Sequence, residues 1–187
     1  IFHQFTKNKG RVFARNKGIE LSSGDWLLFL PSNVLVHNML LVEYLKIIKK
    51  YSALAFMGRV KYSSSDSRFA WYLNHNKRGI NNLKDGSFCP FKFLLFSNCF
   101  IHRSVFQKIQ FNTKLTSYGG EELEFACRFQ QLYPQKIRAC KKAEVTRINH
   151  VGLWGHCDRI YEFGTTNFIL LNKKIKREII QYPFLLV

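Results

Sequence analysis

Residues 14–30 read Ala14-Arg15-Asn16-Lys17-Gly18-Ile19-Glu20-Leu21-Ser22-Ser23-Gly24-Asp25-Trp26-Leu27-Leu28-Phe29-Leu30. Ser22 to Asp25 is a turn signal, and Trp26 to Leu30 is an unbroken apolar run ended by Pro31. Such a run predicts a strand of a parallel sheet, covered on both faces. Upstream, Val12 to Leu21 predicts a short helix. Downstream, Leu40, Leu41, Tyr44, Leu45, Ile48 and Tyr51 keep helical spacing over residues 36–51, with Lys46, Lys49 and Lys50 in the last turns, where the helix dipole favours cations. Leu54 to Val60 predicts the next strand. Strand, helix and strand in that order imply a right-handed crossover and the α/β class.

Residues 61–90, rich in Ser, Asn, Lys and Gly, read as a long loop. Phe91 to Ile101 predicts a further strand, and Ser104 caps a short helix through Gln110. Gly119-Gly120 is a turn that opens a helix from Glu121 to about Tyr133, with Leu123, Ala126 and Phe129 on one face and Pro134 ending it. Residues 136–149 read as extended and 158–181 as helical. Residues 1–187 are therefore expected to form one domain with a C-terminal helical extension over 158–187.

The 187 residues carry 29 Lys and Arg against 12 Asp and Glu, a net charge of +17, with 47% hydrophobic residues. So apolar a chain is not a disordered basic tail. Its field attracts polyanions: nucleic acid, an anionic membrane or phosphorylated substrates. No helix-turn-helix, zinc or RNP-like signature is present, so nucleic acid is not the expected partner. Five cysteines (Cys89, Cys99, Cys127, Cys140, Cys157) form no C-x-x-C pair, which fits reduced thiols in a cytosolic protein. The longest apolar region, Trp26 to Ile48, is broken by Pro31, Asn33, His37, Glu43 and Lys46 and is no membrane span. P-loop, dinucleotide, H-E-x-x-H and G-x-S-x-G patterns are absent.

The acids are unevenly spread. None lies between Asp85 and Glu121, and then Glu121, Glu122 and Glu124 fall within four positions. Acids in a first helical turn complement the dipole; the same carboxylates behind two flexible glycines can serve as a general base. Two aromatic segments have a double reading as well. Trp71, Tyr72, His75, Lys77 and Arg78 fit either a single-strand nucleic-acid surface or a solvated excursion. Gly152-Leu153-Trp154-Gly155-His156 fits either a mobile loop that stacks on a sugar or a packed Trp154 between turn glycines.

Order along the chain adds a resemblance. Ala14-Arg15-Asn16-Lys17-Gly18, then Ser23-Gly24 and the strand Asp25 to Leu30, resembles the A-R-N-x-G…strand…D-x-D pattern of family-2 glycosyltransferases. Phe96-Ser97-Asn98-Cys99-Phe100-Ile101-His102-Arg103 resembles that family's strand leading to the acceptor. Phe111-Asn112 through Gly119-Gly120-Glu121-Glu122-Leu123-Glu124-Phe125 is similar to its F-D…G-G-E-D-x-E-F segment. The resemblance implies a GT-A fold, a mostly parallel sheet flanked by helices, and sugar transfer from a nucleotide-sugar donor to a glycan or lipid-linked acceptor. It puts Arg15, Asn16, Ser32 and Asn33 near the donor. Glu122 becomes the base of an inverting reaction and Glu121 the residue that orients the acceptor. Asn98, Gly119, Gly120 and Trp154 fall on the acceptor side. A cytoplasmic protein resting on an anionic membrane face is the expected setting. Alternatives are a non-catalytic relative that binds glycans and, from charge alone, a nucleic-acid-binding domain.

Two departures from the pattern matter. Family members hold Mg²⁺ or Mn²⁺ with D-x-D, because hard cations take oxygen ligands. Those positions here read Pro31-Ser32-Asn33, which removes two formal charges. A reduced metal site of Asn33 and His150 is one expectation; metal-free binding, with Lys and Arg neutralising the diphosphate, is the other. The family's first strand–helix units, which bind base and ribose, have no counterpart in Ile1 to Lys9, so this chain is expected to be a fragment of a longer enzyme or a partial gene product, with an N-terminally truncated fold.

Overall fold

The computed structural model describes residues 2–181; Ile1 and residues 182–187, the end of the expected C-terminal extension, lie outside the described residues. In chain order come α1 (Gly10–Leu21), β1 (Trp26–Phe29), β2 (Val34–Val36), α2 (Leu40–Lys50), β3 (Ala55–Ser64) and α3 (Ser67–Leu73). They are followed by β4 (Cys99–His102), α4 (Glu121–Leu132), β5 (Ile137–His150), α5 (Leu153–Thr165), α6 (Asn167–Leu170) and α7 (Lys173–Gln181). The strands form one sheet in the order β1-β4-β3-β5-β2.

The α/β architecture with flanking helices agrees with the sequence reading, while the strand pairing is mixed. β3 and β5 pair in parallel; β1–β4, β3–β4 and β2–β5 are antiparallel. β1, β3 and β5 thus share one direction, against β4 and β2. β1 is an edge strand, not a strand covered on both sides, and of its four residues only Leu27 is fully buried. The expected helix over 36–51 is shortened to Leu40–Lys50, because Val34 to Val36 pair with Val145 to Arg147 instead. Its buried stripe is Leu40, Tyr44 and Ile47, one helix face, while Leu41 and Leu45 stay exposed. The expected loop over 61–90 begins as the end of β3 and continues into α3, whose first turn is capped by Asp66 Oδ1 accepting from the Phe69 N–H at 2.9 Å. The expected strand over 91–101 contracts to Cys99–His102.

One polar side chain holds the centre of the sheet together. The β3–β5 register jumps between Gly58, opposite Cys140, and Arg59, opposite Glu144, so three residues of β5 bulge out. The carbonyls of Arg59 and Ala143 at this break each accept a 2.9 Å hydrogen bond from Asn98 Nδ2. Asn98 Oδ1 in turn accepts from the Tyr44 hydroxyl at 2.9 Å. Asn98 and Tyr44 are both fully buried, so each of these groups needs its partner. Glycine is required at position 58: a Cβ there would stand 2.3 Å from Asn98 Nδ2 and 2.3 Å from the Tyr44 hydroxyl.

The main core packs helices onto the sheet, with Tyr44, Phe56, Ile101, Phe125, Phe129 and Ile137 among its fully buried members. A smaller cluster of Leu115, Cys127, Phe163, Leu171, Ile175 and Ile179 joins α4 to the C-terminal helices. All five cysteines are free, four of them buried, and burial pushes the Cys89 and Cys140 thiols up to about 12, far from nucleophilic use. Among the described residues no helix is long and apolar enough to cross a membrane.

His150, the last residue of β5, is 9% exposed and packs edge-on against Tyr62 at 5.0 Å. Its Nδ1–H donates to the Val151 carbonyl at 2.8 Å. Burial lowers its pKa to about 4, with the charges of Arg147, His156 and Arg159 acting the same way and the Val151 bond opposing them.

Two outcomes test this architecture. Gly58→Ala should lower stability by at least about 2 kcal/mol, read as a fall in the urea midpoint; an unchanged midpoint would contradict the packing. Folded His150 stays neutral while the unfolded chain takes up a proton below its ordinary pKa of 6.5. Stability should therefore be full above pH 6.5 and decline as pH falls towards 4, by at most about 3 kcal/mol from this residue. His150→Gln should flatten that part of the pH–stability curve.

Candidate active site

α1 carries Val12, Arg15 and Ile19 at i, i+3 and i+7, one helix face. Val12 and Ile19 are buried in the core, which draws Arg15 inward with them. The Arg15 guanidinium lies 5.2 Å from the ring centres of both Phe96 and Phe111. Facing it is the start of α4. Gly119 and Gly120 have φ of +85° and +83°, the left-handed region that favours glycine, and a Cβ on Gly120 would meet Phe163 at 2.7 Å. The inward face of α4 keeps the expected Ala126 and Phe129 but is completed by Glu121 and Phe125, while Leu123 is only partly buried and Leu132 is exposed.

The carboxylates and α1 meet as an ion cluster. Arg11 Nη2 is 2.9 Å from Glu121 Oε1, and Arg15 Nη1 is 3.3 Å from the same oxygen. The other Arg15 nitrogen bonds Glu122 Oε1. Glu121 is 2% exposed and Glu122 21%. Burial raises the Glu121 pKa, helped by the charge of Glu122 and opposed by Arg11 and Arg15. For Arg15 burial acts against the charge, yet Glu122 and Glu121 outweigh it and the pKa is raised.

Glu121, Glu122, Arg15, Gly119, Gly120, Pro31 and His150 all line one cavity of about 690 Å³. The remaining sequence-derived site residues stand elsewhere. Asn16 bonds the Phe111 backbone with both ends of its amide, Nδ2 to the carbonyl and Oδ1 from the N–H, each at 3.0 Å. Ser32 is exposed outside the cavity. Asn33 ties β2 to β5, its Nδ2 donating to the Ile148 carbonyl at 3.1 Å. Asn98 is occupied at the sheet bulge. Trp154 is 82% exposed in the first turn of α5, so residues 152–156 form a helix start and not a loop. The aromatic–basic segment, by contrast, contributes Tyr72, Lys77 and Arg78 to the cavity wall.

The donor set of the cavity does not fit a divalent cation. Pro31 offers no ligand, Asn33 does not line the cavity, and His150 presents one ring nitrogen. Among the described residues no three His, Cys, Asp or Glu side chains come together to hold a metal. The cavity is instead cationic: Arg11, Arg15, Lys77, Arg78, Lys92, Arg147 and Arg159 line it, against Glu121 and Glu122.

Several residues that line or support the cavity were not singled out from sequence. Arg11 is one; its i, i+4 spacing from Arg15 was the available signal. Asn167, 1% exposed, donates from Nδ2 to the carbonyls of Ser117 and Gly119 at 2.8 Å each and so fixes the glycine turn. Arg147, Arg159 and Tyr62 reach the wall from β5, α5 and β3, and no local pattern marks them.

The sequence pattern of Glycosyl transferase family 2 matches residues 2–110. No curated protein matches the sequence. Among solved structures, S. aureus TarS residues 1–349 superposes with a TM-score of 0.53 at 16% identity, covering 77% of this chain and 42% of that one. A second S. aureus TarS structure gives 0.53 at 15%, covering 95% and 31%. A mycobacterial protein gives 0.49 at 13%, covering 79% and 47%. The chain thus spans less than half the length of each. A mixed sheet flanked by helices, shared with TarS, and a family match over more than half of the residues agree: this chain belongs to glycosyl transferase family 2 and has the GT-A fold.

Proposed function

We propose that the cavity between α1, α4 and α5 transfers a sugar from a nucleotide-sugar donor to a hydroxyl of a glycan or lipid-linked acceptor, with inversion and with Glu122 as the base. One observation carries this reading. Arg15 holds Glu122 by Oε1, while among the described residues no group bonds Oε2. The carboxylate is thus oriented at a helix start that lines the cavity, with one oxygen unbonded among the described residues. In the reaction the acceptor O–H gives its proton to Glu122, and its oxygen bonds the anomeric carbon. The bond from that carbon to the donor diphosphate breaks, and the nucleotide diphosphate leaves with the electron pair.

Glu121, buried and shared by two arginines, sets the position of its neighbour and of Arg15 rather than reaching the acceptor. Gly119 and Gly120 let the acceptor approach the helix start without side chains in between. The high positive charge supports a peripheral, cytoplasmic position on an anionic membrane, where lipid-linked acceptors are presented. A second reading, a non-catalytic relative that binds glycans, is favoured by the Pro31-Ser32-Asn33 segment, which lacks the family's metal-binding acids.

Glu122→Gln in the full chain should reduce sugar transfer by about 10²–10⁴-fold with donor binding retained; unchanged transfer would remove Glu122 as base. Donor binding in calorimetry with no detectable transfer to any acceptor would favour the second reading. Vesicles rich in anionic lipid should pellet the protein at low salt and release it at high salt; no pelleting would remove the membrane contact.

A further inference from the structure

The family match ends at residue 110, yet the turn that opens onto Glu121 and Glu122 is held by α5 and α6, which lie well beyond it. Three backbone groups of residues 117–119 meet side chains of those helices. The Tyr118 N–H donates to Glu162 Oε1 at 3.0 Å. Asn167 Nδ2 donates to the Ser117 and Gly119 carbonyls at 2.8 Å each. Phe163, the residue after Glu162, packs against both glycines: a Cβ on Gly119 would stand 3.1 Å from it. The Tyr118 ring centre lies 4.7 Å from the Arg11 guanidinium of α1 and 5.3 Å from that of Arg159 of α5. Two consecutive glycines have the greatest backbone freedom a chain offers. A Gly119-Gly120 turn without these bonds would leave the helix start after it free to shift.

From this arrangement we infer that Glu162 and Asn167 are positioning residues for the transfer reaction, which fix the glycine turn and, through it, the place of the Glu122 carboxylate. This rests on the glycosyltransferase reading and deepens it: α5 and α6 are part of what makes the base effective. Neither residue lines the cavity, so each acts through the backbone of the turn and not on a ligand. Displacing a reacting group by about 1 Å costs on the order of a hundredfold in rate, so a loosened turn lowers kcat and leaves the KM of the donor. Glu162 serves only as an acceptor, a task that a glutamine oxygen can also perform. Asn167 serves as a donor to two carbonyls at a site that is 1% exposed.

The test has two readouts on the full chain. One is amide hydrogen exchange over residues 117–122, followed by mass spectrometry. The other is nucleotide diphosphate release from UDP-glucose, UDP-N-acetylglucosamine and GDP-mannose as donor probes, with water as acceptor. Glu162→Leu and Asn167→Ala should each speed exchange in that segment and lower kcat at least about tenfold, with the KM of the donor unchanged. Glu162→Gln should behave as the unaltered chain. So should Asn172→Ala, which removes the acceptor of the Ile175 N–H at the start of α7 without touching the turn. Unchanged exchange, or faster exchange with an unchanged kcat, overturns the inference. So does an equal fall in kcat with Glu162→Gln or Asn172→Ala. Glu162 is exposed, so its two variants decide if Asn167→Ala fails to fold. The exchange readout needs no substrate: unchanged transfer in Glu122→Gln counts against the base alone, and unchanged exchange in Glu162→Leu counts against this inference alone.

Discussion

The structure around the cavity depends on burying the Arg15 guanidinium. A buried arginine is tolerated only with its charge matched and its donors bonded, and losing one partner of such a pair costs about 3–5 kcal/mol. Arg15 meets both needs through Glu121 and Glu122 and rests against the rings of Phe96 and Phe111. Through that side chain, with Arg11 one turn before it, α1 fixes the first turn of α4. It also places one cation against two adjacent carboxylates, which would otherwise repel. The dipole of α4 favours the same acids, so the structural and the catalytic readings of the acidic cluster are compatible.

Behind this ion cluster the scaffold solves a different problem. A parallel β3–β5 pair interrupted by a three-residue bulge leaves carbonyls without ladder partners. The Asn98 amide supplies them, at the cost of excluding any side chain at position 58. Asn167 does comparable work at the Gly119-Gly120 turn, on the cavity's opposite flank. Both asparagines are buried and each donates two hydrogen bonds from Nδ2 to backbone carbonyls, so the scaffold of the cavity is held by polar bonds and not by apolar packing alone.

Electrostatics give the cavity its character. The acids of the chain are few, and those lining the cavity are already paired with Arg11 and Arg15. The net charge of +17, which by itself named no partner, gains a location at the cavity, whose wall carries seven Lys and Arg side chains against Glu121 and Glu122.

Much of the fold was legible in the sequence. Trp26 to Leu30 and Leu54 to Val60 announced strands, the spacing of Leu40, Leu41, Tyr44, Leu45 and Ile48 a helix, and the glycine pair with Pro134 the limits of α4. These are local signals, set by side-chain period and backbone permissiveness. The order of the motifs marked the family and brought Arg15, Glu121 and Glu122 forward as a group. Strand direction was not legible, since antiparallel β4 and β2 differ from parallel strands only in what they pair with. Asn16, Asn33 and Asn98 looked like ligand residues, yet each amide is engaged by the backbone of a distant segment. Arg147 and Arg159 carry no local signal, yet β5 and α5 bring them to the wall of one cavity. Sequence alone determined which elements form and which acids stand together, because those follow from neighbours a few positions apart. Tertiary structure alone decided which polar groups are occupied and which face the cavity, because a hydrogen bond or an ion pair is set by distance in space, and residues more than a hundred positions apart supply the partners.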